Sequence, residues 1–424
     1  MWDKLKRIWK LKDLRNSILF VLGMLVVYRF AAHIPIPGIN FENLNSLLNS
    51  NQALGFLDLF SGGGIRNFSI MMLGVAPYIT ASIIVQLLTM IVPKLEALSK
   101  EGEYGRKKIN SYTRWLTIPL AVVQTFSMIS VLRNSPYQVI DNMSSWSMFL
   151  AVIAITSGTV FLMWLGELIS EKKIGNGISL LIFVGIVSAL PGTIQSLIIN
   201  FDKSQILNLV LFGIIAIATV VGVVFITQGQ RNIPISYTRH MSGSKVYGGV
   251  NTHLPLRVNQ AGVIPIIFAI AMMMFPPMIA SLFINAKTAW IASFATSVNN
   301  LWSNQIFYTA MYFILVIAFT YFYTSVIFHP DKISDNLQKQ GGFIPGIRPG
   351  RETANYLHYV SNRILLLGAV FLGLIAVLPF LIQVFFSMGN VSLGGTSLLI
   401  VVSVVIEIIK QIQAQLVMRD YDQV

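Results

Sequence analysis

LFSGGGIRNFSIMMLGVAPYITASIIVQLL, residues 59–88, joins two kinds of segment. Its second part belongs to an apolar stretch from Ile70 to Val92 that carries no Asp, Glu, Lys or Arg. A helix needs about 20 such residues to cross a bilayer. Its first part closes GFLDLFSGGGIRN, residues 55–67, a short apolar run broken by Gly62, Gly63 and Gly64. That pattern suits a half-helix hinged onto a spanning helix. Irregular backbone at membrane depth is tolerable only when buried in protein or lining a watery cavity. A surface loop that never enters the membrane fits the same residues, and composition leaves both readings open.

Working outward, nine further apolar stretches flank this one, at 17–32, 114–132, 147–169, 178–199, 205–227, 261–284, 305–328, 364–387 and 396–417. The loops between them alternate in charge. Twenty-five of the thirty lysines and arginines lie in residues 1–15, 94–114, 172–173, 231–257, 332–363 and 410–419. The intervening segments hold only Arg29, Arg66, Arg133, Lys203 and Lys287. Lys and Arg near span ends resist translocation and keep their loops inside. The alternation predicts ten crossings with both termini cytoplasmic. Five helices run outward and five inward, the arithmetic of an inverted-topology repeat with halves 1–200 and 201–424. No sequence self-similarity between the halves is visible.

Composition agrees: 54% of the 424 residues are apolar and 11% charged, against about 25% charge in ordinary globular chains. The chain reads as an all-α polytopic membrane protein. A net charge of +13 raises the question of nucleic acid, but the basic residues sit at membrane edges and form no recognised nucleic-acid module. Anionic lipid and acidic docking surfaces are the expected partners, with the ribosome a special case. There is no cysteine, which excludes disulfide and thiol chemistry. Basic Lys4 to Arg15 followed by apolar Ile18 to Phe30 mimics a signal peptide; the nine later spans and the lack of a small-residue cleavage site favour a retained first helix.

Two inside loops, 229–260 and 329–363, are far longer than the usual connection of about 4–6 residues. In the first, alternating IPISYTR (233–239) turns at Ser242-Gly243-Ser244 into KVYGG, a hairpin pattern. In the second, Asp331 to Gln340 suits a helix stopped by Gly341-Gly342, followed by a proline-stiffened elbow tipped by Arg348. Both loops read as ordered; solvated loops without a partner are the alternative.

Chemistry-bearing groups are sparse. The five histidines fall outside the spans or at their ends, and no Gly-Lys pair exists from which a phosphate-binding loop could be built. A charge at the bilayer centre costs at least about 2.5–3.5 kcal/mol and usually marks an ion route. None is evident: Glu167 and Glu407 lie toward inner span ends, where paired or solvated roles are expected. A transporter needs a midplane ion or substrate site and an intramembrane enzyme a catalytic set. A passive conduit with an apolar lining needs neither.

The opening stretch resembles the SecY family of bacterial protein translocase channels. So do KEGEYGRKKINSYTR (100–114), GNGISLLIF (175–183), THLPLRVNQAGVIP (252–265), KQGGFIPGIRPG (339–350) and LGGTSLLIVVSVVIE (393–407). The likeness covers essentially the whole chain. It implies an hourglass channel of ten transmembrane helices in two inverted five-helix halves, with a plug half-helix at about 56–66. It implies translocation of unfolded secretory polypeptides across the bacterial cytoplasmic membrane and lateral release of membrane segments, with no enzymatic activity and no cofactor. The implied partners are the small membrane subunits SecE and SecG, the motor ATPase SecA, the ribosome and signal sequences.

Carried residue by residue, the resemblance places a constriction at Ile79, Ile83, Ile178, Ile182, Ile267 and Ile400. A narrow aliphatic ring sheds water and blocks ions while yielding to passing chain. The plug would comprise Phe56, Leu57, Asp58, Leu59, Phe60, Gly62, Gly63, Gly64, Ile65 and Arg66, its glycines letting it swing. A lateral gate between spans 2 and 3 and spans 7 and 8 would involve Thr80, Gln86 and Pro276. Thr80 and Gln86 could equally bond back to their own helix. Pro265, Pro276 and Pro277 should kink span 7. Arg239, His240, Lys245, Arg348 and Arg351 would form the docking surface for motor and ribosome.

Overall fold

The computed structural model describes residues 11–50, 54–55, 58, 61–133, 135–137, 139–140, 144–199, 206–237, 240–242, 245–247, 251–284, 288–386 and 395–421. Helices dominate: α1 Lys12–Ala31, α2 Phe41–Ser50, α3 Ala76–Ile91, α4 Pro93–Lys100, α5 Glu103–Arg133, α6 Ser145–Glu171, α7 Gly177–Ile199 and α8 Ile206–Gln228. Four strands follow, β1 Gln230–Tyr237, β2 His240–Ser242, β3 Lys245–Tyr247 and β4 Asn251–Arg257. The remainder is α9 Ile264–Phe283, α10 Ala289–Ser303, α11 Gln305–Ile327, α12 Pro330–Lys339, β5 Gly342–Phe343, α13 Arg351–Phe386 and α14 Gly395–Tyr421.

Among the described residues, seven helical segments are long and apolar enough to cross a membrane alone, those of α1, α5, α6, α9, α11, α13 and α14. Shorter apolar helices lie within α7 and α8, and α3 with α4 forms a broken pair bent by 101°. Pro93 causes that break: Val92 is extended, and Pro93 starts the next helix, where its missing N–H is not needed. The outward faces carry exposed aliphatic and aromatic side chains such as Phe30, Trp115, Phe225 and Ile306, as a lipid-facing bundle requires.

Three expectations change. Span 2 does not begin at Ile70, because residues 70–75 are turns and the helix starts at Ala76. Ser69 and Gly74 explain this: the Ser69 hydroxyl accepts from the Met71 N–H at 3.1 Å, and Gly74 sits at φ +56°. Pro265 does not kink span 7, since it lies in the first turn of α9. Strand β1 pairs along its length with β4, not with the KVY strand; the tight hairpin is β2 with β3. The helix remains continuous across Pro276 and Pro277.

Helices α3, α5, α6 and α7 pack in chain order, with α1 against α6 and α7. A second series runs α8 on α14, α14 on α13, α13 on α11 and α11 on α9. The two series meet along two seams, α9 against α3 and α5, and α14 against α7. Within the first series, the GNG turn before α7 shows how closely α7 approaches α6. Asn176 Oδ1 accepts the Ile178 N–H at 3.0 Å, and a Cβ on Gly177 would fall 1.9 Å from the Gly166 carbonyl oxygen. Across the second seam, Gln415 Nε2 donates to the Lys173 carbonyl at 2.6 Å.

Candidate functional site

Ile79, Ile83, Ile182, Ile267 and Ile400 are buried members of one apolar cluster spanning both helix series, and half-buried Ile178 packs against it. They come from α3, α7, α9 and α14, the four helices that face one another across the two seams. Ile79 and Ile83, like Ile178 and Ile182, are four residues apart and so share a helix face. Other buried members of the cluster include the aliphatic Val75, Leu181, Val404 and Ile186, so this apolar zone offers water few partners.

Beside this cluster the glycine-rich segment is folded tightly. The described residues Leu54, Gly55 and Asp58 are helical and residues 61–68 form successive turns; Phe56, Leu57, Leu59 and Phe60 lie outside the described residues. Turn bonds run from the Gly63 N–H to the Asp58 carbonyl at 2.8 Å and from the Ser69 N–H to the Gly64 carbonyl at 2.9 Å. Buried Asp58 accepts the Arg66 backbone N–H at 2.8 Å and lies 3.5 Å from its guanidinium. Burial pushes the Asp58 carboxyl up from its ordinary value, against the Arg66 N–H and guanidinium, which pull it down. Leu54, Ile65 and Phe68 pack into a second apolar cluster with Leu44, Met128 and Ile155.

Helix α1 clamps this segment. Tyr28 Oη donates to the Ser61 carbonyl at 3.1 Å, and Arg29 Nη1 to the Gly62 carbonyl at 2.7 Å. Gly62 sits at φ +70°, and a Cβ there would lie 2.2 Å from Tyr28 Oη. On Gly64 a Cβ would lie 2.6 Å from the Met71 carbonyl oxygen. Glycine is needed at both for close approach; only Gly63 has open space beside its Cα. Sequence reading missed Tyr28 and Arg29. The signal available was a lone cation near a span end.

At the first seam, Thr80 Oγ1 donates back to the Ala76 carbonyl at 3.0 Å and accepts from Gln124 Nε2 of α5 at 3.4 Å. Gln86 Nε2 reaches Ser82 of its own helix at 3.4 Å, while its buried Oε1 has no partner among the described residues. The back-bonding alternative therefore holds for both residues, with Thr80 also cross-linked to α5. The direct link between α5 and α9 lies elsewhere: the Ser127 hydroxyl bonds the Met278 carbonyl and lies 3.0 Å from Ser281 Oγ.

Half-buried Pro276 does not act alone, because Pro277 deprives the Met273 carbonyl of its i+4 N–H donor. The Trp302 indole N–H of α10 fills that place at 2.8 Å. Phe268 of α9 meets Phe319 and Tyr323 of α11 edge-on, with ring centroids 6.0 and 5.8 Å apart.

At the far end of the bundle the two long loops form one surface. Strand β5 of the second loop adds to β1 of the first, Ser236 opposite Phe343 and Tyr237 opposite Gly342, giving the sheet order β4-β1-β5. Ile233, Leu256, Ile344, Leu357 and Val360 pack beneath it. Arg348 is exposed on a turn held by Thr353 Oγ1, which donates to its carbonyl at 2.9 Å, and by Ser334 Oγ, which donates to the Gly350 carbonyl at 2.6 Å. Exposed Arg351 opens α13, and neither arginine makes an ion pair among the described residues. In the β2–β3 hairpin His240 lies opposite Tyr247 and Lys245 opposite Ser242. Arg239 lies outside the described residues. Of the expected inner-end carboxylates, Glu167 pairs with Arg114 at 2.7 Å and Glu407 accepts from Gln411 at 3.3 Å.

Residues 69–409 match the SecY family. The protein translocase subunit SecY of Mycobacterium tuberculosis is 43% identical over 432 residues, covering 97% of this chain and 96% of that protein. The corresponding subunit of Streptomyces griseus is 40% identical over 439 residues, covering 100% and 99%. Among solved structures, a protein-conducting channel superposes with a TM-score of 0.65 at 18% identity, over 93% of this chain and 90% of the other. Sec61 in the canine ribosome–channel complex from the endoplasmic reticulum gives 0.63 at 18%, over 94% and 91%. With a multi-pass helical bundle and near full-length identity above 40%, the chain belongs to the SecY family.

Proposed function

We propose that this chain is the protein-conducting channel of a bacterial translocase and that the isoleucine cluster is its constriction. The observation that supports this reading is that Ile79, Ile83, Ile178, Ile182, Ile267 and Ile400 belong to or pack against one apolar cluster drawn from both helix series. An aliphatic lining holds water and ions poorly, and it offers a translocating chain no polar group on which to lodge. The chain is a channel rather than an enzyme, and its energy comes from a partner or a gradient.

In this reading α1 and α3–α7 make one half, 1–200, and α8–α14 the other, 201–424, with ten crossings in all and both termini cytoplasmic. The bent α3–α4 pair and the apolar parts of α7 and α8 complete the count. The segment around Asp58 to Arg66 is the plug, and Tyr28 and Arg29 are its latch. The α3/α5–α9 seam is the lateral gate, with Thr80, Gln86 and Pro276 on its helices, and its Ser127–Ser281 link reads as the closed, idle form.

The loop sheet with Arg348 and Arg351 is the docking face for the motor SecA and the ribosome, with Arg239, His240 and Lys245 at its hairpin. Arginine forks and a cationic face suit acidic protein patches and RNA phosphates. SecE and SecG complete the complex in the bacterial cytoplasmic membrane. Unfolded secretory polypeptides pass through, and signal sequences leave sideways into lipid.

The test is reconstitution of the full chain with SecE and SecG in vesicles, followed by SecA and a secretory precursor. The precursor is expected to become protected from external protease only when ATP is present. Absence of protection in an intact, folded complex removes this reading.

A further inference from the structure

An open groove of about 580 Å³ lies between α11 and α13, lined by Tyr321, Asn355, His358, Tyr359, Asn362 and Arg363, with Leu366 at its edge. None of the roles above uses it. Helix α13 has 36 residues, about 54 Å at 1.5 Å per residue, against a hydrocarbon core of about 30 Å. Its exposed side chains change character along the axis. Asn355, His358, Tyr359, Asn362 and Arg363 come first; Leu366, Leu367, Val370 and Leu374 follow. The groove sits at that change, which is the level of the polar headgroups, where tyrosines concentrate and arginines keep their heads in water.

The groove is built for an anion. The Arg363 guanidinium lies 4.2 Å from the centre of the Tyr359 ring, so one face is stacked and the N–H edges stay free. Arg363 makes no ion pair among the described residues, and no carboxylate lines the groove. Asn362 Nδ2 lies 3.3 Å from His358 Nδ1; with the amide donating, the ring proton sits on Nε2 as a further donor. Guanidinium, imidazole, amide and phenol donors around one concavity are the complement of a phosphodiester, and the arginine fork binds such oxygens in pairs.

The exposed leucines that continue from Leu366 decide the source. A soluble phosphate has no use for them, whereas acyl chains do. We propose that this groove binds the headgroup of an anionic phospholipid of the leaflet in which α13 becomes polar, with its chains lying on Leu366, Leu367 and Val370.

The experiment is native mass spectrometry of the full chain in detergent, titrated with phosphatidylglycerol or phosphatidylcholine. Wild type is expected to retain one more phosphatidylglycerol than Arg363→Gln, whose affinity at that site falls roughly tenfold, the loss expected for a charge-assisted contact. Lys94→Gln, an equal charge change at an exposed position on α4, is expected to match wild type, and Arg363→Lys to fall between. Arg363 is exposed, so all variants should keep the wild-type melting temperature. Equal phosphatidylglycerol retention by wild type and Arg363→Gln overturns the proposal, as does equal retention of phosphatidylcholine at that site. Displacement of the lipid by millimolar inorganic phosphate assigns the site to a soluble anion and overturns it also.

Discussion

On the proposed reading, single side chains of the isoleucine cluster govern ion leakage. Replacing Ile83 and Ile182 with asparagine puts amides among aliphatic neighbours and gives water a foothold in the constriction. Each unpaired buried amide costs about 1–3 kcal/mol in the dry state. The expected result is a raised ion conductance of the idle complex in planar bilayers and looser selection of signal sequences; unchanged conductance would discredit the ring. Arg29→Met removes the 2.7 Å bond to the Gly62 carbonyl and should also raise idle conductance, without affecting motor binding. These residues were unequally legible. Isoleucine abounds on any lipid-facing helix, so the ring could be proposed only through the family resemblance. The close approaches at Gly62 and Gly64 depend on Tyr28 and Met71, which no local pattern ties to them.

Among helices, α9 carries a repair that sequence can suggest but not complete. Pro277 announces an orphaned carbonyl at Met273, and the donor, Trp302, comes from the following helix. Trp302→Phe should destabilise the fold by ~1–3 kcal/mol, the penalty for a buried acceptor left unpaired. Pro277→Ala restores an N–H within the helix, so the same tryptophan change made in that background should cost far less. A double-mutant cycle of thermal unfolding in detergent measures the coupling, and additive losses would refute the pairing. Helix extents were legible where they were apolar. The polar first turns of α5 from Glu103 and of α13 from Arg351 carry no hydropathy signal. At Ile70–Val75 the opposite happened, because an apolar run proved to be turn.

For the molecule as a whole, loop charges predict an order of crossings, since the bias acts on each loop separately, and the multi-pass helical bundle agrees with its coarse outline. The joining of the two long loops was not legible: β5 has two residues, and its partner β1 lies far back in the chain. That joining makes a prediction about docking. Arg348→Glu should abolish motor-driven transport while the chain still inserts and folds, scored by precursor protection and by the yield of folded complex. Gly342→Val, whose Cβ would start 3.0 Å from the Tyr237 ring, should pry β5 from β1 and impair transport similarly with Arg348 intact. Wild-type transport by Gly342→Val would mean that the loops act independently.

The shared sheet has a mechanical consequence. Strand β1 starts two residues beyond the end of α8, β4 leads through a short turn into α9, and β5 is carried between α12 and α13. Load applied anywhere on this plate is therefore divided among three membrane-embedded shafts at once. One of them, α9, is the helix braced against α3 and α5. A partner that tilts the plate by a few degrees would act as a wrench on that brace, prising the wall apart without touching the throat we propose.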